Sequence, residues 1–331
     1  MAVLGPPWPA AVAVSGGGDS LALMLLLVRW ASAHRRKPPV ILTVDHGLQK
    51  NSAAVARRVA EAARRKGLEA HVLSWEGVRP KADIENAARQ ARYRLMGEWC
   101  RKHRIRTLYL AHNREDQAET FLLRLARGSG VDGLSAMSPI APFPIPGFAE
   151  IVLVRPLLEF SRAELRHYLH MARERWTEDP MNSDPRFART RFRALLPALA
   201  DAGLSAERIA DAAGHLRRAR DALDLVSEAL IGRYARLERE YALVNAKAFA
   251  AAPAELALRS LATLLQRVSG AAYRPRFESL SRLLLWIGTG RLGGGRTLHG
   301  CKIGPAPKRL AVFQSQTLLI QPEPPRRKGR K

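Results

Sequence analysis

Cysteine is nearly missing from this chain of 331 residues: only Cys100 and Cys301 occur, far apart, and no Cys-x-x-Cys pair exists. That excludes a disulfide framework, a zinc ribbon and an all-cysteine iron–sulfur site. Long apolar runs are missing as well. The longest early one, Leu21 to Val28, has eight residues, follows Asp19 closely and lacks a basic leader. It is too short to span a bilayer and wrongly flanked for a signal peptide, so the sequence reads as soluble and cytoplasmic, with no membrane partner. No internal repeat is visible. Acidic residues are scarce: Asp+Glu number 30 against 54 Lys+Arg, a net charge of +24, and Arg far outnumbers Lys. Such an excess favours a polyanionic partner, because each neutralised phosphate releases condensed counterions. Solubility or an Arg-rich genome composition would give the same number.

What the chain does have is enough apolar material, 47% of residues, to bury cores in about two domains. Short β-rich runs alternate with longer Ala/Leu/Arg runs. Residues 11–14, 40–44, 70–75, 107–110 and 151–154 are predicted strands, and their spacing predicts βαβ units in a doubly wound parallel sheet of the α/β class. The Pro/Gly-rich stretch Pro139–Gly147 is predicted as a loop, since its prolines forbid a central strand. From Ala200 to Val268 helix formers dominate, with Leu223, Val226, Leu230 and Leu237 at helical spacing, which predicts a separate helical domain. The C-terminal end carries Gly-rich Gly288–Gly295, predicted strands at 309–313 and 317–320, and a basic tail from Pro324 to Lys331 that could touch RNA or simply be solvated. Boundaries fall at 1–197, 198–270 and 271–331, the last a short β-containing module.

The richest stretch is Ala11-Val-Ala-Val-Ser-Gly-Gly-Gly-Asp-Ser20, a buried strand running into a glycine loop that opens a helix. Backbone N–H groups and a helix N-terminus can converge there on phosphate oxygens, with Gly16, Gly17 and Gly18 permitting close approach and the Ser15 and Ser20 hydroxyls adding donors. No Lys follows the glycines, so this is not the loop of the common nucleotide triphosphatases, and it is not the Gly-x-Gly-x-x-Gly of a dinucleotide fold. Asp19 would repel bare phosphate unless Mg²⁺ bridged them, which makes it a metal-ligand candidate. A tight turn with Asp19 or Ser20 capping a helix is the plainer alternative.

Further stretches follow in a fixed order: Val44-Asp-His-Gly-Leu48, Glu85-Asn-Ala-Ala-Arg-Gln-Ala-Arg-Tyr93, Ala111-His-Asn-Arg-Glu-Asp-Gln-Ala-Glu-Thr120, Arg127-Gly-Ser-Gly130, Arg155-Pro-Leu-Leu158, Glu178-Asp-Pro-Met-Asn-Ser-Asp184 and Arg189-Thr-Arg-Phe-Arg193. With the Ser-Gly-Gly-x-Asp-Ser loop, this set resembles the N-type ATP pyrophosphatases (PP-loop proteins), and among them the tRNA(Ile)-lysidine synthetase family, over about residues 10–200. The chain departs from the family pattern at Gln49, where Arg is usual, and at Glu115, where Asp is usual. The resemblance implies an adenine nucleotide alpha hydrolase-like fold and a two-step ligation. ATP with Mg²⁺ adenylates the C2 oxygen of the wobble cytidine of isoleucine tRNA bearing a CAU anticodon; free lysine then displaces AMP. It implies nucleotide contacts at Ser15, Gly16, Gly17, Gly18, Asp19, Ser20, Asp45 and His46. The oligomeric state is left open, a homodimer among the options.

Physical reading of the remaining residues leaves alternatives. On a helix, Asp116 and Glu119 share one face, opposite Ala118, Phe121, Leu122 and Leu125, so they are expected to look out of the core at the C-terminal edge of the sheet. There they could hold a lysine ammonium or share Mg²⁺ with Asp19, or simply complement the helix dipole. Mg²⁺ prefers oxygen, so His112 suits a structural or substrate-contacting role. Arg89 and Arg92, one turn apart, could neutralise triphosphate charge in place of a P-loop Lys; a solvated Arg face explains the spacing equally well. Arg189, Arg191 and Arg193 alternate around Phe192, a mixture suited to RNA backbone and an exposed base, although Phe192 would serve equally as a core anchor.

Overall fold

The computed structural model describes residues 6–48, 51–76, 84–177, 188–271 and 273–324. Gln49, the 178–184 stretch and the basic tail beyond Pro324 lie outside the described residues. The contacts group the chain into two compact units, Met1–Arg217 and Arg218–Lys331.

The first unit is built on a six-stranded sheet: β1 (Ala11–Ala13), β2 (Val40–Asp45), β3 (Ala70–Ser74), β4 (Thr107–Tyr109), β5 (Ile140–Pro142) and β6 (Val152–Val154), in the order β3-β2-β1-β4-β6-β5. All neighbours run parallel except β5 on β6. Successive side chains of a strand point to opposite faces, and the sheet uses this to serve two cores. Val12 and Ile41 pack on one face with Leu23 and Leu27 of α1 (Gly18–Ala33) and with Leu165 and Leu169 of α6 (Arg162–Met171). Ala11, Leu42, Leu108 and Leu153 pack on the other with Tyr93 and Met96 of α3 (Ile84–Lys102). The unit is completed by α2 (Ser52–Arg65), α4 (Arg114–Leu125), the single turn α5 (Val131–Leu134) and α7 (Ala188–Asp201). Because β1 leads to β2 on one side while β4 lies on the other, the strand order reverses between β1 and β4, and the crevice at their C-terminal ends is where open α/β sheets take ligands. All five predicted strands of this unit are present. Pro139–Gly147 is not wholly loop: Ile140–Pro142 forms the antiparallel edge strand, a position where proline costs no ladder bond.

The division between the units falls inside α8 (Ala206–Tyr234). The second unit holds a five-stranded antiparallel sheet, β7 (Ala235–Leu237), β8 (Ala242–Asn245), β9 (Arg296–Leu298), β10 (Cys301–Pro305) and β11 (Thr317–Pro322), ordered β7-β8-β11-β10-β9. Two of its strands come from the segment predicted as a helical domain; Leu237 belongs to one of them. Ala-Leu-Val-Asn at β8 carries little intrinsic strand signal and becomes a strand because it pairs with β11. The predicted strand at 309–313 is instead a 3₁₀ turn, Lys308–Leu310, and irregular chain, because Pro307 has no N–H to carry the ladder on; the neighbouring strand lies earlier, at Cys301–Pro305. Helices α9 (Ala246–Ala251), α10 (Ala254–Ser269) and α11 (Phe277–Gly288) bury Phe249, Leu261, Leu264 and Leu283 with Ile303 and Ile320 of the sheet. Among the described residues no helix is long and apolar enough to cross a membrane.

Candidate active site

The glycine loop leaves β1 and enters α1 through Gly17, and no side chain caps that helix. The capping alternative therefore does not hold. Ser20 Oγ donates to the Gly17 carbonyl at 2.9 Å and accepts from the Ser15 N–H at 3.2 Å, which folds the loop on itself while the helix's leading N–H groups have no side-chain acceptor. Gly16 sits at φ +95°, and a Cβ there would meet Val59 Cγ2 at 2.9 Å, so only glycine fits. The indole of Trp176, which sequence reasoning did not single out, lies 3.3 Å from where a Gly18 Cβ would be.

Asp19 turns away from its own helix end. Its Oδ2 accepts from Asn113 Nδ2 at 2.9 Å and stands 3.6 Å from Arg162 Nε. Asn113 caps α4: its Oδ1 accepts from the Asp116 N–H at 2.9 Å, and Asp116 Oδ2 accepts from the Asn113 N–H at 3.1 Å. This reciprocal capping box fixes Asp116 at the crevice. Asp116 Oδ1 lies 3.9 Å from Arg162 Nη2 and 4.0 Å from Arg193 Nη2. Burial raises the Asp19 carboxyl above its ordinary value, against the pull of Arg162.

Glu119 corrects the sequence reading. It was expected to face outward with Asp116; its side chain is instead 0% exposed, because α7 packs over that face of α4. Leu125, expected in the core, is 51% exposed. Arg193 Nε donates to Glu119 Oε1 at 2.7 Å and Nη2 to Oε2 at 3.3 Å, the two-pronged geometry that suits a guanidinium. Burial raises the Glu119 carboxyl and the hydrogen bond from Arg193 partly offsets it. The result is a chain of alternating charge: Asp19, Arg162, Asp116, Arg193, Glu119.

Beside it lies a cluster of one sign. Arg89 and Arg92 on α3 stand over the Tyr93 ring at 5.2 and 5.9 Å. Arg155, at the end of β6, is buried; its Nη1 donates to the Ser138 carbonyl at 2.9 Å, while its Nε has no hydrogen-bond partner among the described residues. Arg189 Nη2 donates to Thr120 Oγ1 at 3.2 Å. His112 sits among these four guanidiniums, and enclosure of its ring together with their charge holds it well below its usual value, so it is neutral at pH 7. Its Nδ1 is buried with no partner among the described residues.

Not every predicted residue joins these groups. The three arginines of the 189–193 stretch separate: Arg189 and Arg193, four apart on α7, face α4, whereas Arg191 is exposed and Phe192 is half-buried. Asp45, at the end of β2, spends one oxygen within its own loop, accepting from the Gly47 N–H at 2.9 Å and Ser52 Oγ at 2.6 Å, and His46 Nδ1 accepts from the Leu48 N–H at 3.2 Å. Asn113, Arg155 and Arg162 are the residues missed as participants. Arg155 and Asn113 stood inside quoted stretches; Arg162 had no sequence signal beyond following Ser161, the cap of α6. The two cysteines stay outside the site, buried and free, their thiols pushed up to about 12 at Cys100 and about 11 at Cys301. A protonated, enclosed thiol is a poor nucleophile.

Comparison with known proteins identifies the family of the chain. The family model of the PP-loop domain matches residues 8–199. A tRNA(Ile)-lysidine synthase of Wolbachia pipientis is 39% identical over 312 residues, covering 93% of this chain and 71% of the relative. One from Rhodopseudomonas palustris is 39% identical over 335 residues, covering 97% and 93%. Among solved structures, a U34-tRNA thiolase from Methanococcus maripaludis aligns with a TM-score of 0.51 at 15% identity, covering 63% of this chain and 72% of that one, a likeness of fold.

Proposed function

We propose, from the premise that the chain belongs to the tRNA(Ile)-lysidine synthase family of PP-loop proteins, that two adjoining charge patterns at one sheet edge divide a two-step ligation between them. The protein is an ATP-dependent carbon–nitrogen ligase that forms lysidine on isoleucine tRNA. The observation that carries the division of labour is the convergence of the open-ended glycine loop, the acid-base chain and the one-sign Arg cluster at the β1/β4 crevice.

In the first step the wobble cytidine's C2 oxygen attacks the α-phosphorus of ATP, forming one P–O bond as the bond to pyrophosphate breaks. The uncapped N–H groups after Gly17 receive the departing phosphates. Arg89, Arg92 and Arg155 balance charge on the nucleotide, a task the missing P-loop Lys leaves open. Asp19 would hold Mg²⁺, which when bound neutralises phosphate charge. The donor set fits: Asp19 and Asp116 already flank one cationic group, the Arg162 guanidinium, at distances looser than a tight ion pair. Among the described residues no three Asp, Glu, His or Cys side chains converge, so phosphate oxygens and water would complete the shell, as Mg²⁺ commonly requires.

In the second step the neutral ε-amine of free L-lysine attacks C2, a C–N bond forms, and the C2–O bond breaks to release AMP. The bound ammonium gives one proton to an adjacent carboxylate or water before the attack, and the nitrogen gives up a second once the C–N bond has formed. Asp116 and Glu119 hold the lysine. Because Glu119 carries Arg193 in this structure, the lysine ammonium takes over a place the guanidinium fills, an exchange of one cation for another at a buried carboxylate. Neutral His112, with a free Nδ1, accepts a hydrogen bond from substrate. Arg191, exposed on α7, meets RNA backbone. Homodimerisation would show in light scattering as twice the 36.6 kDa of one chain.

The test is incubation with ATP, lysine and total tRNA followed by nucleoside mass analysis. Lysidine should replace cytidine only when ATP and lysine are both present; unchanged cytidine would contradict the reading.

A further inference from the structure

The strands that carry the catalytic crevice at their C-terminal ends carry a second basic site at the opposite ends. A cavity of about 500 Å³ opens where the chain enters β1, β4 and β6, lined by Trp8, Arg101, Arg104, Ile105, Arg106 and Glu150. From Trp8 to Ser15 the chain takes seven steps of about 3.3 Å, so this cavity and the glycine loop are roughly 20 Å apart on opposite edges of the sheet.

Charge at this edge is one-sided. The residues following α1, 35–37, read Arg-Arg-Lys, and those closing α2, 64–66, read the same; all six are exposed. Cations in a last helical turn complement the macrodipole, which accounts for part of this. It does not account for Arg104 and Arg106, which lie beyond α3 at the entry to β4, are exposed, and have no side-chain hydrogen bond or ion pair among the described residues. The acids nearby are taken: Glu150 by Arg101 at 3.5 Å, Glu174 by Lys66, and Glu69 at the entry to β3 by His71 at 2.8 Å. Aromatic surface accompanies the charge. Trp8 walls the cavity and packs on Trp30 at 5.2 Å, and the buried Trp30 Nε1 has no partner among the described residues; Trp99 and His103 stack at 4.0 Å at the end of α3.

We propose that this N-terminal edge is a second RNA-binding surface, in which Arg104 and Arg106 contact backbone phosphates and Trp8 offers its indole to a base, engaging a segment of RNA other than the anticodon loop. Trp8 is only partly buried, and guanidiniums beside an accessible aromatic edge are the combination that holds single-stranded RNA without reading its sequence. The cationic runs at 35–37 and 64–66 extend the surface past the cavity, which favours a polymer over a mononucleotide.

The experiment is anisotropy of a labelled oligouridylate of about a dozen nucleotides added to the full-length enzyme already saturated with unlabelled anticodon stem-loop. Oligouridylate should still bind. The double variant Arg104→Glu/Arg106→Glu should weaken it at least tenfold and flatten the plot of log K against log salt by about 1.4, two single-strand phosphates at roughly 0.7 each. Lysidine formation on the stem-loop should keep its rate. Displacement of oligouridylate by the stem-loop, unchanged binding in the variant, or equal affinity for free uridine monophosphate would overturn the proposal. So would joint loss of binding and lysidine formation, which would put these arginines on the path to the catalytic edge.

Discussion

The two units bury charge in opposite ways. In the second, Arg259 is 2% exposed and closed off by Asp224 and Glu255, each at 2.7 Å, one cation matched by carboxylates on its own and a neighbouring helix. In the first, Glu119 is equally enclosed, but its partner Arg193 also reaches toward Asp116, which faces Arg162, which faces Asp19. The Arg259 group runs out at the half-exposed surface, where Asp224 also faces Arg274 at 3.8 Å, whereas the other chain ends at a glycine loop with bare N–H groups and beside a histidine with a free nitrogen. Buried charge by itself marks nothing; buried charge whose sequence of partners runs out at a crevice marks chemistry.

The sharpest way to break this contrast is at the open end. Asp19→Asn removes one charge from a half-buried carboxylate without changing its size, so the fold should persist while single-turnover adenylation falls about a thousandfold, the several kcal/mol that a metal contributes to phosphoryl chemistry. Unchanged adenylation in the folded variant would remove Asp19 from the metal site.

Next in size is a matched pair of truncations. Arg193→Ala and Arg259→Ala each strand a carboxylate, and denaturant titration should show losses of roughly 3–5 kcal/mol for a fully buried pair, less at Arg259 where the acids reach solvent. Only Arg193→Ala should also alter the lysine dependence of the folded fraction. Equal kinetic effects would erase the distinction between the units.

A smaller effect lies in pH. Glu119 titrates above its ordinary 4.5, chiefly because of burial, so NMR should place its midpoint higher than that, and Arg193→Gln should raise it further. A raised carboxyl contributes stability that is complete below the unfolded value and lost as pH rises through the folded one. The stability of Glu119→Gln relative to the parent should therefore improve between pH 4 and pH 7. A midpoint below 4.5 would mean that Arg193 outweighs burial.

Much of the first unit could be read from sequence because its elements announce themselves locally. Ala11–Val14 and Val40–Val44 are apolar runs of strand length, and Ser15–Ser20 is a glycine loop between a strand and a helix. The edge strand at Ile140–Pro142 escaped because its prolines argue against pairing, and only an edge tolerates them. The second unit's sheet was hidden because β8 is spelled in residues that also favour helices and its partner lies some seventy residues on, at β11. In the site, the helical wheel correctly put Asp116 and Glu119 on one side of α4, but a wheel knows one helix at a time. It could not show that α7 would cover that side and turn Arg193, expected at RNA, onto Glu119. Arg162 was invisible for the same reason: only tertiary folding brings the start of α6 to Asp19 and Asp116.

The central claim is that the two carboxyl groups at the ends of the charge chain serve different steps, Asp19 the adenylation and Glu119 the lysine. Glu119→Gln tests it most directly, since it keeps size and one acceptor oxygen for Arg193 while removing the charge. With ATP and tRNA supplied, the apparent KM for lysine should rise about tenfold to a hundredfold, the value of one charge-assisted hydrogen bond, while adenylated tRNA accumulates. Collapse of adenylation with a normal lysine dependence would contradict the account and assign Glu119 to the nucleotide's side of the site.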